Sequence, residues 1–209
     1  MSLFRYLLVV RFALINVVAA GLLAAAYLQG WLDGVINAHL VELSILIFVV
    51  FLYGLGLCGI KIFRHSVELN DIQAGSPDPK SRTGRYLEQT AGTGPESRSI
   101  QVMALRLRLT DGIVGVRQIA NSLVLLGLIG TVIGFIIALS GVDPETASEV
   151  ESIAGMVSTL ISGMSVAMNT TLVGAVLYVW LSVNYGILTS GTVDLLARII
   201  DLGEHRERA

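Results

Sequence analysis

Residues 118–142 read QIANSLVLLGLIGTVIGFIIALSGV, a stretch of 25 residues without Asp, Glu, Lys or Arg. A helix needs about 20 predominantly apolar residues to cross a hydrocarbon layer of roughly 30 Å, so this stretch is long enough to span a membrane. Three further stretches also lack all four charged residue types: 12–32, 43–60 and 152–193. The pattern predicts an all-α, polytopic membrane protein with four transmembrane helices.

The composition supports this prediction. The chain has 209 residues, of which 54% are hydrophobic and only 14% are charged. A soluble domain usually carries roughly a quarter charged residues, so a soluble class is excluded. One alternative concerns the first stretch, because a cleavable secretory signal there would leave three helices. Tyr27 and Trp31 instead favour a helix with aromatic anchors at the membrane interface.

The positive charges indicate the orientation. All fourteen Lys and Arg residues fall in the N-terminus, in the segment between the second and third stretches, or in the C-terminal tail. The other two connections contain none, and the second of them, 143–151, is acidic. Positively charged connections stay on the cytoplasmic side of a membrane. We therefore expect a multi-pass protein with its N- and C-termini in the cytoplasm.

The chain divides into four predicted segments. Residues 1–63 hold the first two helices, 64–117 form a short cytoplasmic loop with helical extensions, 118–193 hold helices three and four, and 194–209 form a cytoplasmic tail. Turn and breaker residues fill the middle of the loop, where we expect mobility and no independent core. The run 152–193 would reach about 63 Å as a helix, so helix four must tilt, protrude or begin outside the membrane.

Helix three carries small residues on one face. Gly127, Thr131, Gly134, Ala138 and Gly141 recur at spacings of four, three, four and three. Small residues let helices approach closely in lipid. One interpretation is packing within a single subunit, and the other is a face that surrounds a partner helix or a water path. Both stay open at this point.

Helix four carries a polar cluster that includes Asn169, Thr170 and Thr171. A Thr hydroxyl can bond to its own helix, whereas the Asn169 amide needs a partner within the membrane. No ionisable side chain lies in the central part of any stretch, so a proton path would need a carboxylate from another chain. No catalytic constellation and no Cys/His cluster is present, and we expect no enzyme, no cofactor and no metal site.

Two segments resemble the MotA/TolQ/ExbB proton channel family of ion-driven motor subunits. Residues 125–134, LLGLIGTVIG, are similar to the family segment "LGLxGTVxG", and residues 167–174, AMNTTLVG, are similar to "ALxxTxxG". The two motifs occur in order and are separated by the acidic connection. The resemblance covers residues 116–185 and makes helices three and four pore-lining.

The resemblance implies a homopentamer in the bacterial inner membrane. Its ring would enclose the single helices of two MotB/TolR/ExbD-like partners, which supply a membrane Asp that carries H+. Ion flow would rotate the ring around the partners. Na+ stays a second candidate ion, because the cluster at 169–171 offers oxygen ligands. The implied ion-pathway residues are Thr131, Thr171, Asn169 and Thr170. The implied partner-helix packing residues are Gly127, Gly130, Gly134, Ala138 and Gly174.

The sequence also departs from the family. Four spans resemble MotA, whereas TolQ and ExbB have three, yet the connection at 64–117 is too short for the large cytoplasmic domain of MotA. Val166 stands where ExbB has a membrane glutamate. The driven process is therefore left open. Two alternatives to a motor subunit are a non-conducting oligomeric scaffold and a small transporter that works alone.

Overall fold

The structure, a computed structural model, describes residues 7–29, 41–73, 81–90, 95–142 and 150–208. These residues form helices only: α1 (Leu7–Leu28), α2 (Val41–Gln73), α3 (Arg82–Thr90), α4 (Pro95–Ser140) and α5 (Val150–Arg208). Four of the five, all except α3, are long and apolar enough to cross a membrane. The prediction of an all-α protein with four candidate spans is confirmed.

Three of the helices continue well beyond their apolar stretches. Helix α2 was expected to end near residue 63 and instead runs to Gln73, and α4 begins at Pro95, well before the apolar stretch 118–142. Helix α5 has 59 residues, which corresponds to about 88 Å at 1.5 Å per residue. The predicted helical extensions are therefore present. Their location on the cytoplasmic side stays a prediction.

The chain forms two compact units, and their boundary follows the charge pattern. The first, the basic unit, comprises Met1–Val17, Leu55–Arg117 and Val183–Ala209, and it contains all fourteen Lys and Arg residues. The second, the apolar unit, comprises Val18–Gly54 and Gln118–Ser182. It contains no Lys or Arg and six acidic residues. All Lys and Arg residues thus belong to one unit, although its segments are distant in sequence.

The basic unit has a small hydrophobic core, which the 64–117 segment shares with the C-terminal part of α5. That this segment has no independent core stays a prediction. Side chains from four helices form it: Leu69, Ile72, Tyr86, Leu87, Leu105, Leu109, Leu195 and Ile199. The short helix α3 contributes Tyr86 and Leu87 on one face and exposes Arg82, Arg85 and Glu88 on the other. The predicted mobile loops at 74–80 and 91–94 lie outside the described residues.

Helix α1 is largely exposed, and its described contacts in the basic unit are few but specific. The Asn16 amide Nδ2 donates to the Asn184 side-chain oxygen at 2.8 Å. Asn184 on α5 is fully buried. At Gly59 on α2, an added Cβ would meet the Phe12 ring at 3.4 Å. A polar pair and a ring over a glycine therefore attach α1 to its neighbours.

Candidate functional site

The site lies in the apolar unit, where α4 and α5 approach each other closely. An added Cβ at Gly134 would lie 2.6 Å from the Gly163 carbonyl oxygen and 2.6 Å from the Ala167 nitrogen. An added Cβ at Gly174 would lie 2.7 Å from the Leu123 carbonyl oxygen. Ordinary carbon contacts are about 3.5 to 4.0 Å, so only glycine fits at these points.

Two hydroxyls meet where this contact reaches the surface of the chain. The Oγ1 atoms of Thr131 on α4 and Thr171 on α5 are in hydrogen-bond contact. The Gly127 carbonyl oxygen lies 3.2 Å from Thr131 Oγ1 and 3.3 Å from Thr171 Oγ1. Thr171 is exposed and Thr131 is half-buried. The two sequence motifs therefore bring three oxygen atoms together, those of the two hydroxyls and of the Gly127 carbonyl. The Thr171 side of this group is exposed.

Thr170 occupies a different environment from its neighbour. Its side chain is 1% exposed, and its hydroxyl donates to the carbonyls of Val166 at 2.9 Å and Ala167 at 3.1 Å on its own helix. It also fills the space over Gly130, where an added Cβ would lie 2.5 Å from Thr170 Cβ. Successive residues of a helix point about 100° apart, which separates the buried Thr170 from the exposed Thr171.

Asn169 lies half-buried on α5, one turn from Ser165. Its Nδ2 atom lies 3.4 Å from the Ser165 hydroxyl oxygen. This arrangement gives the amide a polar contact within its own helix. The partner on another helix or in water that the sequence favoured for this residue stays a prediction.

The structure brings some of the predicted site residues into contact and not others. Thr131 and Thr171 are in contact, whereas the Thr170 hydroxyl faces its own helix. All five predicted packing residues lie in the contact between α4 and α5 of the same chain: Gly127, Gly130, Gly134, Ala138 and Gly174. The roles of these nine residues in an ion path or against a partner helix stay predictions.

Sequence reasoning missed Gly163, which is the counterpart of Gly134. An added Cβ at Gly163 would lie 2.5 Å from the Gly134 carbonyl oxygen and 2.7 Å from Ala138 Cα. The sequence contained a signal for it. On α5, Gly163, Ala167, Thr170 and Gly174 repeat the four-three-four spacing that the small residues of α4 show from Gly127 to Ala138. The pair of half-buried Asn16 and buried Asn184 was also missed, although both are amides inside apolar stretches.

The site holds no charge of its own. Residues 118–142 and 152–193 contain no ionisable Asp, Glu, Lys or Arg, and the described part of the chain has no group of three or more His, Cys, Asp or Glu that could hold a metal ion. Val166, at the position of the ExbB glutamate, is 2% exposed and packs in the interior. Hydroxyls and carbonyls are therefore the polar groups that this site offers.

Comparison with known proteins identifies the family. The sequence model of the MotA/TolQ/ExbB proton channel family matches residues 95–199, about half of the chain. The chain belongs to the MotA/TolQ/ExbB proton channel family. The match includes all of α4 and most of α5, with both threonines of the hydroxyl pair. No match to a curated protein or to a solved structure reached significance.

Membership in this family indicates a general function. The MotA/TolQ/ExbB family consists of proton channel subunits, which is a transport role and not a known class of enzyme. Its members generally act as oligomers with partners of the MotB/TolR/ExbD kind. With four apolar helices, this member of the family is a multi-pass membrane protein.

Proposed function

We propose that this chain is the ring-forming subunit of an ion-driven motor of the bacterial inner membrane. Five copies enclose the single helices of a MotB/TolR/ExbD-like partner, and the partner supplies a membrane Asp that carries H+. The observation that supports this proposal best is the contact between Thr131 and Thr171, since it places the two family threonines together at an exposed edge.

The hydrogen-bonding capacity of this pair suits a proton carrier. Two hydroxyls have two protons to donate, and the pair already has two acceptors within the chain: the Gly127 carbonyl and one of the two hydroxyl oxygens. With both protons used in this way, the remaining lone pairs of the hydroxyl oxygens accept from outside. Acceptors favour a protonated carboxyl group, a hydronium ion or Na+ over a bare carboxylate.

The distribution of charge supports the proposed orientation. Basic residues occur only in the basic unit, which contains the N-terminal and C-terminal segments together with the 64–117 segment. Under the positive-inside rule this unit belongs to the cytoplasmic side. The acidic connection at 143–151 then belongs to the opposite side.

The first test is the stoichiometry of the assembly. The chain is purified alone and together with a single-span protein encoded beside it, and subunits are counted by native mass spectrometry and cryo-electron microscopy. Five copies around two partner helices, with Thr171 facing them, support the motor. A monomer, or a closed ring without a partner helix, contradicts it and favours a transporter or a scaffold.

The second test addresses conduction. Val has nearly the shape of Thr without its hydroxyl, so Thr131→Val/Thr171→Val should keep the ring and reduce partner-dependent proton flux into liposomes by at least about tenfold, the loss of one or more hydrogen bonds to the carrier. Thr159→Val is the matched control, because the Thr159 hydroxyl donates to the Gly155 carbonyl of its own helix at 3.1 Å. Undiminished flux in the double variant would show that protons take a different path and would refute the role of these two hydroxyls.

A further inference from the structure

A cavity of about 250 Å³ lies in the basic unit, between α3 and α4. Three arginine side chains line it: Arg82, Arg85 and Arg108. Buried Tyr86, Leu105 and Leu109 also line it, so one wall is apolar. Among the described residues of the lining, none is Asp or Glu. The cavity therefore combines convergent positive charge with an apolar wall.

The arginines are held in place by the way α3 is attached. The Ser81 hydroxyl accepts from the Gly84 nitrogen at 3.0 Å and so caps the start of α3. Glu68 on α2 accepts from the Thr83 nitrogen at 3.3 Å and from its hydroxyl at 3.4 Å. Tyr86 and Leu87 pack into the core of the unit. These contacts fix the backbone from which Arg82 and Arg85 project toward α4.

The cavity lies close to the end of the apolar stretches. Lys61 is the first charged residue after the stretch 43–60, and its ammonium group bonds to the Gly112 carbonyl on α4. The hydrocarbon layer on this side therefore ends between the levels of Gly112 and Arg117, the charged residue that precedes the stretch 118–142 on α4. Along the helix axis, Arg108 lies about 6 Å from Gly112 and about 14 Å from Arg117. The headgroup layer of a bilayer is roughly 5 to 8 Å thick on each side, so Arg108 lies in this layer or at its outer edge.

We propose that this cavity binds the phosphate group of an anionic phospholipid. Guanidinium groups bind phosphate oxygens with charge-assisted, often bidentate hydrogen bonds. Basic pockets between helices on the positively charged side of a membrane protein are suited to lipid headgroups. The apolar wall formed by Leu105 and Leu109 favours the phosphate of an amphiphile over that of a soluble ester, because it contacts glycerol and acyl carbons.

The test compares three probes on the full-length chain in neutral detergent. The probes are dioctanoyl phosphatidylglycerol, dioctanoyl phosphatidylcholine and inorganic phosphate, and the readouts are bound mass in native mass spectrometry and the shift of the melting temperature. We expect phosphatidylglycerol to bind and to raise the melting temperature. Equal effects of phosphatidylglycerol and phosphatidylcholine would overturn the proposal, and phosphate binding as tight as that of the lipid would replace the lipid with a soluble ester.

Three variants locate the binding. Arg108→Gln and Arg82→Gln should each weaken phosphatidylglycerol binding by roughly tenfold or more, since each removes charge-assisted hydrogen bonds. Arg106→Gln is the matched control, because Arg106 is an exposed arginine of the same helix that does not line the cavity. A loss in Arg106→Gln equal to that in Arg108→Gln would indicate diffuse charge attraction and refute the site.

A fourth variant tests the cavity without changing any charge. Ala104 lines the cavity and its side chain is exposed, so Ala104→Leu narrows the space with little effect on folding. We expect it to weaken phosphatidylglycerol binding while all three arginines remain. Unchanged binding in this variant, with monodisperse protein by size exclusion, would show that the lipid lies elsewhere.

Discussion

Gly163 is the position where the packing of α4 against α5 tolerates least change. A Cβ built there meets the Ala138 nitrogen, the Gly134 carbonyl oxygen at 2.5 Å and Ala138 Cα at 2.7 Å. All three are backbone atoms, so no side chain can rotate away. Restoring ordinary contact distances of about 3.5 Å requires the helices to separate locally by about 1 Å.

The cost of Gly163→Ala follows from that separation. Overpacking a close contact typically costs about 1 to 3 kcal/mol, and the loss of contacts along the neighbouring glycines adds to it. For a chain of this size, 1 kcal/mol lowers the melting temperature by roughly 2 to 4 °C. We therefore expect Gly163→Ala to lower it by about 3 to 10 °C in detergent, measured by fluorescence-detected size exclusion after heating.

Gly155→Ala on the same helix is the control. Nothing lies within 4 Å of an added Cβ at Gly155, so the same chemical change should be neutral or slightly stabilising there. In addition, Gly134→Ala/Gly163→Ala should cost less than the sum of the single changes, because one separation relieves both contacts. Equal melting temperatures for Gly163→Ala and Gly155→Ala would refute the close approach of α4 and α5.

Two further predictions concern the basic unit. Asn16→Leu and Asn184→Leu should each destabilise the chain by about 1 to 2 kcal/mol, because each removes the hydrogen bond between the two amides, and the double variant should recover part of the loss. A double-variant cycle of melting temperatures checks this, and strict additivity would contradict the pairing at 2.8 Å. Thr83→Val removes the hydrogen bond from the Thr83 hydroxyl to Glu68 and should increase hydrogen exchange of the α3 amides. The control is Thr110→Val, at an exposed position on α4. Equal protection of the α3 amides in both variants would mean that this bond does not hold α3.

The spans were predictable from the sequence because a charge-free run is a local property. The helix ends were not, because packing decides them. Helix α2 continues to Gln73 since Leu69 and Ile72 pack with Leu195 and Ile199 of α5, more than 120 residues away in the chain. Helix α3 contains Gly84 and follows a breaker-rich segment, so its own sequence favoured a loop. An isolated helix of nine residues is not stable in water. The tertiary contacts of Tyr86 and Leu87 in the core of the basic unit stabilise α3.

The motifs predicted candidate site residues but not the helix face on which each one lies. Thr170 and Thr171 are adjacent and chemically identical, and sequence reasoning placed both on the ion path. One is buried over Gly130 and the other is exposed beside Thr131. Which of the two threonines is buried depends on where α4 lies against α5. Only the glycine patterns of both helices, considered together, could have indicated it. Gly163, the counterpart of Gly134, was missed because the sequence analysis of the segment that forms α5 considered its hydroxyl residues and not its small residues.

The two interpretations of the small-residue face, packing and function, are physically linked in this chain. Gly127 lies against the backbone of Thr171 and Gly174, where an added Cβ would come within 3.4 Å and 3.5 Å of their Cα atoms. That approach is what brings the Thr171 hydroxyl within 3.3 Å of the Gly127 carbonyl. Both hydroxyl protons then have acceptors inside the chain, and the oxygens are left to accept at the exposed edge. A wider contact between α4 and α5 would release the Thr171 proton to donate outward. The glycines therefore set the chemistry of the threonines as well as the packing of the helices.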